Sequence, residues 1–311
     1  MENIAFKHSG RLGDIIYALP LVKVMVEKKK CKADFYILSD DFYEVKGAAF
    51  HPGQGVTVSQ GLFDYLSPLL SNLEYINKVV YCPKIEVPAG YIDLDSFKNQ
   101  NFNLLASGNQ VWYRKAHSIP VPFEEKWITW KAQAKLPEVP SFNVLVNKST
   151  RFYNKSIDYR FLDEIDNVGF FGLEMEYEDF KKRNSLSRIQ YVQTQTALDV
   201  AQLLSRCNLF IGNQSLGFAI AEGLKIPRAV EVFEPVPVVI PIGGVCIEYV
   251  KTEQLLKFLT ENFAMKFTGN YEDRVGGFVE CVINEKPLKL SRRIKNYWRK
   301  LRKNNVYNWV E

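Results

Sequence analysis

Histidine is scarce in this chain, three in 311 residues, and the five cysteines stand at 31, 82, 207, 246 and 281 with no C-x-x-C pair. Zinc modules usually show close, repeated ligand spacing and disulfide-framework proteins are usually short and cysteine-dense, so neither is expected, and single buried thiols are the expected state of all five. Long apolar runs are also missing. The longest, Ile15 to Val26, is broken by Pro20 and Lys23 and falls short of the roughly 18 to 20 residues a membrane span needs. A charged, strand-like start, Met1 to Lys7, runs into a glycine-containing turn with none of the layout of a signal peptide. A cytoplasmic protein is expected, with at most peripheral membrane contact. No repeat of solenoid length occurs, and no G-x-G-x-x-G supports a nicotinamide cofactor.

What is present is ordinary for a globular protein of about two domains: 47% apolar, 24% charged and 14% aromatic residues. The net charge of +5 is unevenly spread. Lys286, Lys289, Arg292, Arg293, Lys295, Arg299, Lys300, Arg302 and Lys303 put nine cations and no acid into 18 residues, leaving 31 basic against 35 acidic residues elsewhere. The body is mildly acidic and the tail strongly basic.

Short β-branched or aromatic runs alternate with helix-length amphipathic runs, the pattern of an α/β protein with mostly parallel sheets. A first series has strands near Ile4 to Lys7, Asp34 to Leu38, Lys78 to Cys82 and Tyr91 to Leu94, with a turn His8 to Gly13 and a helix Asp14 to Lys30. Pro137 and Pro140 interrupt the pattern and mark a linker. A second series follows, with strands at Phe142 to Val146, Val168 to Phe171, Ile189 to Val192, Leu209 to Ile211 and Arg228 to Phe233. Its helices are Tyr177 to Lys182, Leu198 to Cys207, Phe218 to Lys225 and Thr252 to Phe263. The expected organisation is two doubly wound, Rossmann-like halves, residues 1–136 and 141–270, facing a central cleft, with a basic helical segment at 271–311.

Three segments carry chemistry. His8-Ser9-Gly10-Arg11-Leu12-Gly13-Asp14 joins the first strand to the first helix, where glycines let backbone N–H groups approach a ligand and the helix N-terminus favours negative charge. Asp14 is either a base or an N-cap there. Asn147 to Lys155 follows the first strand of the second half with three cations, two hydroxyls and two amides, a set suited to a diphosphate or to a solvated loop; Arg151 offers bidentate donors. Gly212 to Gly217, then a helix, puts Ser215 and the N–H groups of Leu216 and Gly217 at a helix N-terminus, a ready phosphate cradle. Glu222 lies two turns along that helix, where it meets a ribose or is simply exposed.

Together these segments resemble a GT-B glycosyltransferase, closest to the heptosyltransferase-like family, glycosyltransferase family nine. Gly13-Asp14-Ile15-Ile16-Tyr17-Ala18-Leu19-Pro20 resembles that family's G-D-x-x-x-x-x-P, Tyr91-Ile92-Asp93-Leu94 its I-D-L strand, and Leu209 to Pro227 its strand, G-N-D-S-G turn and helix. Ala197 to Cys207 resembles its preceding D-x-x-x-x-x-L helix, so the likeness runs over roughly residues 3 to 240. Where the family shows D-[ST]-G-x-x-H, this chain has Gln214-Ser215-Leu216-Gly217-Phe218-Ala219, without the acid or the histidine. A nucleoside-diphosphate donor is implied, without its being ADP-heptose.

The resemblance implies inverting, metal-independent sugar transfer from a nucleotide sugar, with no cofactor. It implies Asp14 as catalytic base and an acceptor site at His8, Ser9, Arg11, Gly13, Asp93 and Asp95. The donor site would draw on Arg151, Asn154, Lys155, Gly172, Asn213, Gln214, Ser215, Leu216, Gly217 and Glu222. Asp93-Leu94-Asp95 is also a D-x-D, but a metal role is not expected. The default acceptor is a saccharide or lipid-linked glycan; a modified base in DNA is the alternative enzyme reading, and a non-catalytic nucleotide-sugar-binding protein the alternative without chemistry. Leu290, Ile294, Tyr297, Trp298 and Leu301 make residues 288–303 a basic amphipathic helix. It either docks on the first half with solvated charges or contacts a polyanion, DNA or an anionic membrane surface, through residues 286–303.

Overall fold

The computed structural model describes residues 2–41, 57–99, 108–234, 237–274 and 278–281. In the first half β1 (Ile4–His8), β2 (Ala33–Leu38), β3 (Ile76–Cys82) and β4 (Ile92–Asp93) form a parallel sheet in the order β3-β2-β1-β4. Helix α1 (Leu12–Lys29) follows β1, α2 (Gln60–Ser71) precedes β3, and α3 (Asn109–His117) follows β4 after a 3-10 turn at Leu94–Asn99. Asp14 in the first turn of α1 and Lys28 and Lys29 in its last complement the helix dipole, and Lys30 ends it in the left-handed conformation.

The second half is a six-stranded parallel sheet of β5 (Phe142–Asn147), β7 (Val168–Phe170), β8 (Gln190–Tyr191), β9 (Cys207–Asn213), β10 (Arg228–Glu231) and β11 (Cys246–Tyr249). Its order, β11-β10-β9-β5-β7-β8, is the doubly wound arrangement in which the chain moves outward from β5 one way and then from β9 the other. Helices α4 (Glu174–Arg183), α5 (Ala197–Ser205), α6 (Leu216–Leu224) and α7 (Thr252–Phe263) connect or follow these strands. Thr196 and Asp199 form a capping box that starts α5.

Two elements revise the expected organisation. The polar loop after β5 contains a strand, β6 (Arg151–Asn154), paired antiparallel with β12 (Phe278–Cys281). The start of the segment expected to form a separate tail is therefore an element of the second half: Arg274 also bonds back to Ser156 and Asp158. The basic helix expected at 288–303 lies outside the described residues.

The halves are joined by more than the linker. Helix α1 packs on α6, and α2 packs on α5. One apolar core runs through this seam, with Ile16, Tyr17 and Leu19 of α1 in the same cluster as Phe218, Ile220 and Ala221 of α6. Because α6 has a sheet on one side and α1 on the other, it is apolar on every face except at Glu222 and buried along most of its length. Trp127 and Ile128 cross over it, both donating to the Gly223 carbonyl. A side chain at Gly223 would come within 2.7 Å of both residues. No helix among the described residues is long and apolar enough to cross a membrane.

Candidate active site

In an open parallel sheet the chain reverses direction at a switch point, and the carboxyl ends of the two strands flanking it leave a crevice for ligand. Here those pairs are β1 with β4 and β5 with β9. The expected site residues fall there: His8 to Asp14 after β1, Asp93 and Asp95 at β4, the 148–155 segment after β5, and Asn213 to Gly217 after β9.

On the first side, Asp14 is the third residue of α1, partly exposed, and Arg11 holds the N-cap position without a side-chain cap. Asp14 is therefore not the N-cap. Two residues of α3 hold it: Asn109 Nδ2 donates to Asp14 Oδ1 at 3.3 Å, and the Tyr113 hydroxyl donates to the Asp14 carbonyl at 2.8 Å. His8 is fully buried, and its Nδ1 accepts from the Gly10 N–H at 2.7 Å. Nδ1 therefore carries the lone pair, and Nε2 faces Tyr113 Oη at 3.0 Å. The 3.6 Å approach of His8 to Asp95 is accordingly not an ion pair. Burial is the main cause that pushes the imidazole pKa down to about 4.

Asp95 is buried as well. It accepts from the Ser9 N–H and hydroxyl, each at 2.8 Å, and is paired with Lys7 at 3.0 Å and Lys98 at 2.9 Å. Burial works against its charge, but His8, which is protonated only in the acid range where Asp95 itself titrates, together with Lys98 and Lys7, overcomes that and holds its carboxyl well below the usual range. Lys7 also pairs with Asp93 at 2.7 Å. His8, Ser9 and Asp95 thus build the turn from behind and do not face an acceptor. Arg11, Gly13, Asp14 and Asp93 remain partly exposed. Both carboxylates of the D-x-D already neutralise lysines, and no cluster of three or more metal-ligating side chains occurs among the described residues.

On the second side, Asn213 is fully buried and clamps the loop after β5: its Oδ1 accepts from Ser149 N at 3.1 Å, and its Nδ2 donates to the Ser149 and Phe152 carbonyls. Gln214 accepts from Phe233 N at 2.6 Å. The Ser215 hydroxyl turns to Asn147 Oδ1 at 2.8 Å, so no side chain caps α6. The first N–H groups of a helix have no intrahelical partner, and Ser215 and Leu216 at this end are partly exposed. A side chain at Gly217 would meet Asn147 and Phe171 at 2.9 Å, and Gly172, at φ +140, would press one on Asn147 and Glu176. Both glycines are there for close packing.

Arg151 stands in β6 opposite Cys281. Lys155 is exposed at a pocket of about 240 Å³ whose walls include Ser149, Thr150, Tyr153, Asp179 and Arg183. Asn154 is buried, donating to Val250 O and accepting from Ser156, so it shapes the loop. Lys148, one of the three cations expected to suit a diphosphate, is buried against Glu231, which also accepts from Tyr159 and from Asn154 N. Burial lowers the Lys148 pKa, and Glu231 works against that.

Glu222 requires the largest correction. It has no exposed surface, and its carboxylate is taken by Arg228, Lys225 and the Ile242 N–H. It anchors α6 to β10 and the following loop and has no free oxygen for a ribose. Sequence reasoning also missed Asn109 and Tyr113, because α3 carries no motif and meets Asp14 only through the fold. The pairing of Glu222 with Lys225 and Arg228, three and six residues away, was the one signal available locally.

No family model matches the chain, and no curated protein matches it by sequence. Solved structures do share its fold. E. coli heptosyltransferase WaaC with ADP is 11% identical, with 84% of this chain and 100% of that one covered at a TM-score of 0.53. E. coli ADP-heptose lps heptosyltransferase II is 12% identical over 84% of this chain and 98% of that one, TM-score 0.51. The iron-containing dodecameric glycosyltransferase TibC from enterotoxigenic E. coli H10407 is 11% identical over 97% and 76%, TM-score 0.50. The chain therefore has the α/β, two-half GT-B fold of the heptosyltransferases.

Proposed function

We propose that this chain is a glycosyltransferase that moves a sugar from a nucleoside-diphosphate sugar, held by the second half, to an acceptor hydroxyl brought by the first. The observation that carries the reading is topological: the candidate residues of both halves flank the two switch points of the sheets, with the only acid of α1's first turn on one side and an uncapped helix N-terminus on the other.

In the proposed step the acceptor oxygen attacks the anomeric carbon, the bond from that carbon to the diphosphate breaks, and its electron pair leaves on the diphosphate. The acceptor proton passes to Asp14, and attack opposite the leaving group inverts the anomeric centre. Charge developing on the diphosphate would be met by the N-terminus of α6, Lys155 and Arg151. The acceptor is proposed to be a saccharide or lipid-linked glycan. No metal is needed in this scheme, because backbone dipoles and fixed cations supply the positive charge.

The test is a thermal-shift panel of UDP, ADP, GDP, CMP and dTDP, with magnesium and with EDTA. A ligand that binds only the native state at about 100 times its Kd adds roughly 2.7 kcal/mol, and one nucleotide is expected to raise Tm equally in both conditions. No shift with any of the five would overturn the donor assignment. A shift seen only with magnesium would overturn metal independence. Hydrolysis or transfer of the matching nucleotide sugar, lost in Asp14→Asn, then tests the base.

A further inference from the structure

Helix α3 grips the base at two points. Asn109 opens the helix, and its Nδ2 lies 3.3 Å from Asp14 Oδ1; Tyr113, one turn on, holds the Asp14 carbonyl at 2.8 Å. The same Asn109 donates its backbone N–H to the Val238 carbonyl of the second half at 2.9 Å, and Gln110 Nε2 donates to the Ile240 carbonyl at 3.0 Å. One residue thus spans the seam, with its side chain on the base and its main chain on the half proposed to hold the donor. We propose that Asn109 is the positioning residue for the Asp14 carboxylate and couples it to the donor half, an inference that rests on the reading of Asp14 as the base.

The amide chemistry supports a role beyond packing. Asn109 is 5% exposed, and its Oδ1 is buried without a hydrogen-bond partner. An orphaned buried acceptor costs stability, so a fold that keeps one beside a carboxylate needs a reason. Once Asp14 has taken the acceptor proton it becomes a donor. Rotation of the amide then presents Oδ1 to it, so the one side chain serves the base before and after proton uptake. Titratable groups coupled to Asp14 include Tyr113 from α3 and Tyr17 from α1, with His8 behind Tyr113 and the Arg11 guanidinium three residues before it in the chain. Burial holds both phenols neutral, with Asp14 among the charges adding to the effect.

The experiment is a carboxylate ¹³C NMR titration of the full chain, with the Asp14 resonance assigned by its loss in Asp14→Asn. Removing a donor from a carboxylate raises its pKa; in Asn109→Ala the Asp14 midpoint is expected to rise by about half to one pH unit, a three- to tenfold gain in proton affinity. Asn109→Asp keeps the size and the helix start but replaces the donor with a like charge, and a larger rise is expected. Gln110→Ala loosens the same seam without touching Asp14, and its midpoint is expected to stay at the wild-type value. An unchanged midpoint in Asn109→Asp, or an equal rise in Gln110→Ala, overturns the proposal. Because the titration needs no substrate, its outcome is separate from turnover by Asp14→Asn, whose retention would overturn the base assignment and leave the contact standing.

Discussion

His8 should make this protein begin to lose stability in mild acid, from a pH above the range where carboxylates titrate. The folded imidazole is neutral, pushed down to about 4 by burial, with Lys98 and Lys7 adding to the effect and Asp95 opposing it, whereas in the unfolded chain it titrates near 6.5. A depressed folded value means the unfolded state binds more protons between those limits. The contribution is therefore fully present above about pH 6.5 and lost as pH falls toward 4. The separation corresponds to about 3 kcal/mol in full, and to about 2 kcal/mol between pH 7 and pH 4.5. His117, which burial also shifts downward, adds in the same direction. Asp95 does not confuse the window, because its depressed value places its loss at lower pH. The assay is urea unfolding at pH 7 and 4.5 for the native protein and His8→Gln, a replacement that keeps a side-chain donor and acceptor but cannot titrate. The variant is expected to be less stable at pH 7 but to lose about 2 kcal/mol less on acidification. Equal acid losses in the two proteins would refute the assignment of a neutral, buried His8.

Glu222→Gln should lower Tm, since breaking a buried ion pair costs about 3 to 5 kcal/mol, while leaving nucleotide affinity in the folded protein unchanged; weakened binding measured by calorimetry would restore the ribose role the structure denies it. Gly217→Ala should destabilise by about 1 to 3 kcal/mol, because the new methyl presses on Asn147 and Phe171, and unaltered urea unfolding would contradict that packing. Arg151→Ala is expected to weaken binding of the matching nucleoside diphosphate by about 1.5 to 3 kcal/mol, the range for a hydrogen bond to a charged group. Unchanged affinity in calorimetry would remove Arg151 from the donor site. For the alternative of a DNA acceptor, duplex binding by the full chain should be absent at low salt; salt-sensitive binding lost on deleting residues 286–311 would reverse the preference for a saccharide.

Local periodicity was enough for the central strands of both halves, because buried parallel strands are short, largely apolar runs and β5 and β9 read that way directly. It was also enough for α1, whose Gly13-Asp14 start is a local signal. It failed for α2, α3 and β11. In α3 only the first five residues are buried, so its apolar stripe is short, and β11 is an edge strand with three of four residues only partly buried. It failed for β6 because that strand's partner, β12, is more than 120 residues away, and an antiparallel partner at that distance leaves no local trace.

What the sequence determined by itself is the repeated strand-turn-helix unit, twice over, with small or polar residues at the turns where chain direction and helix dipoles favour an anion. The tertiary structure decided which of those polar residues are free to act. Glu222, Lys148, Asp95 and His8 all carry chemistry in isolation, yet each is buried among partners brought from other elements, and a buried charge must be neutralised where it lies. Asp14 stays partly exposed and meets Asn109 from a helix 95 residues further along the chain. Pairing across such separations depends on how the two halves close on each other, and that is set by the packing of α1 on α6 and of α3 on the loop after β10.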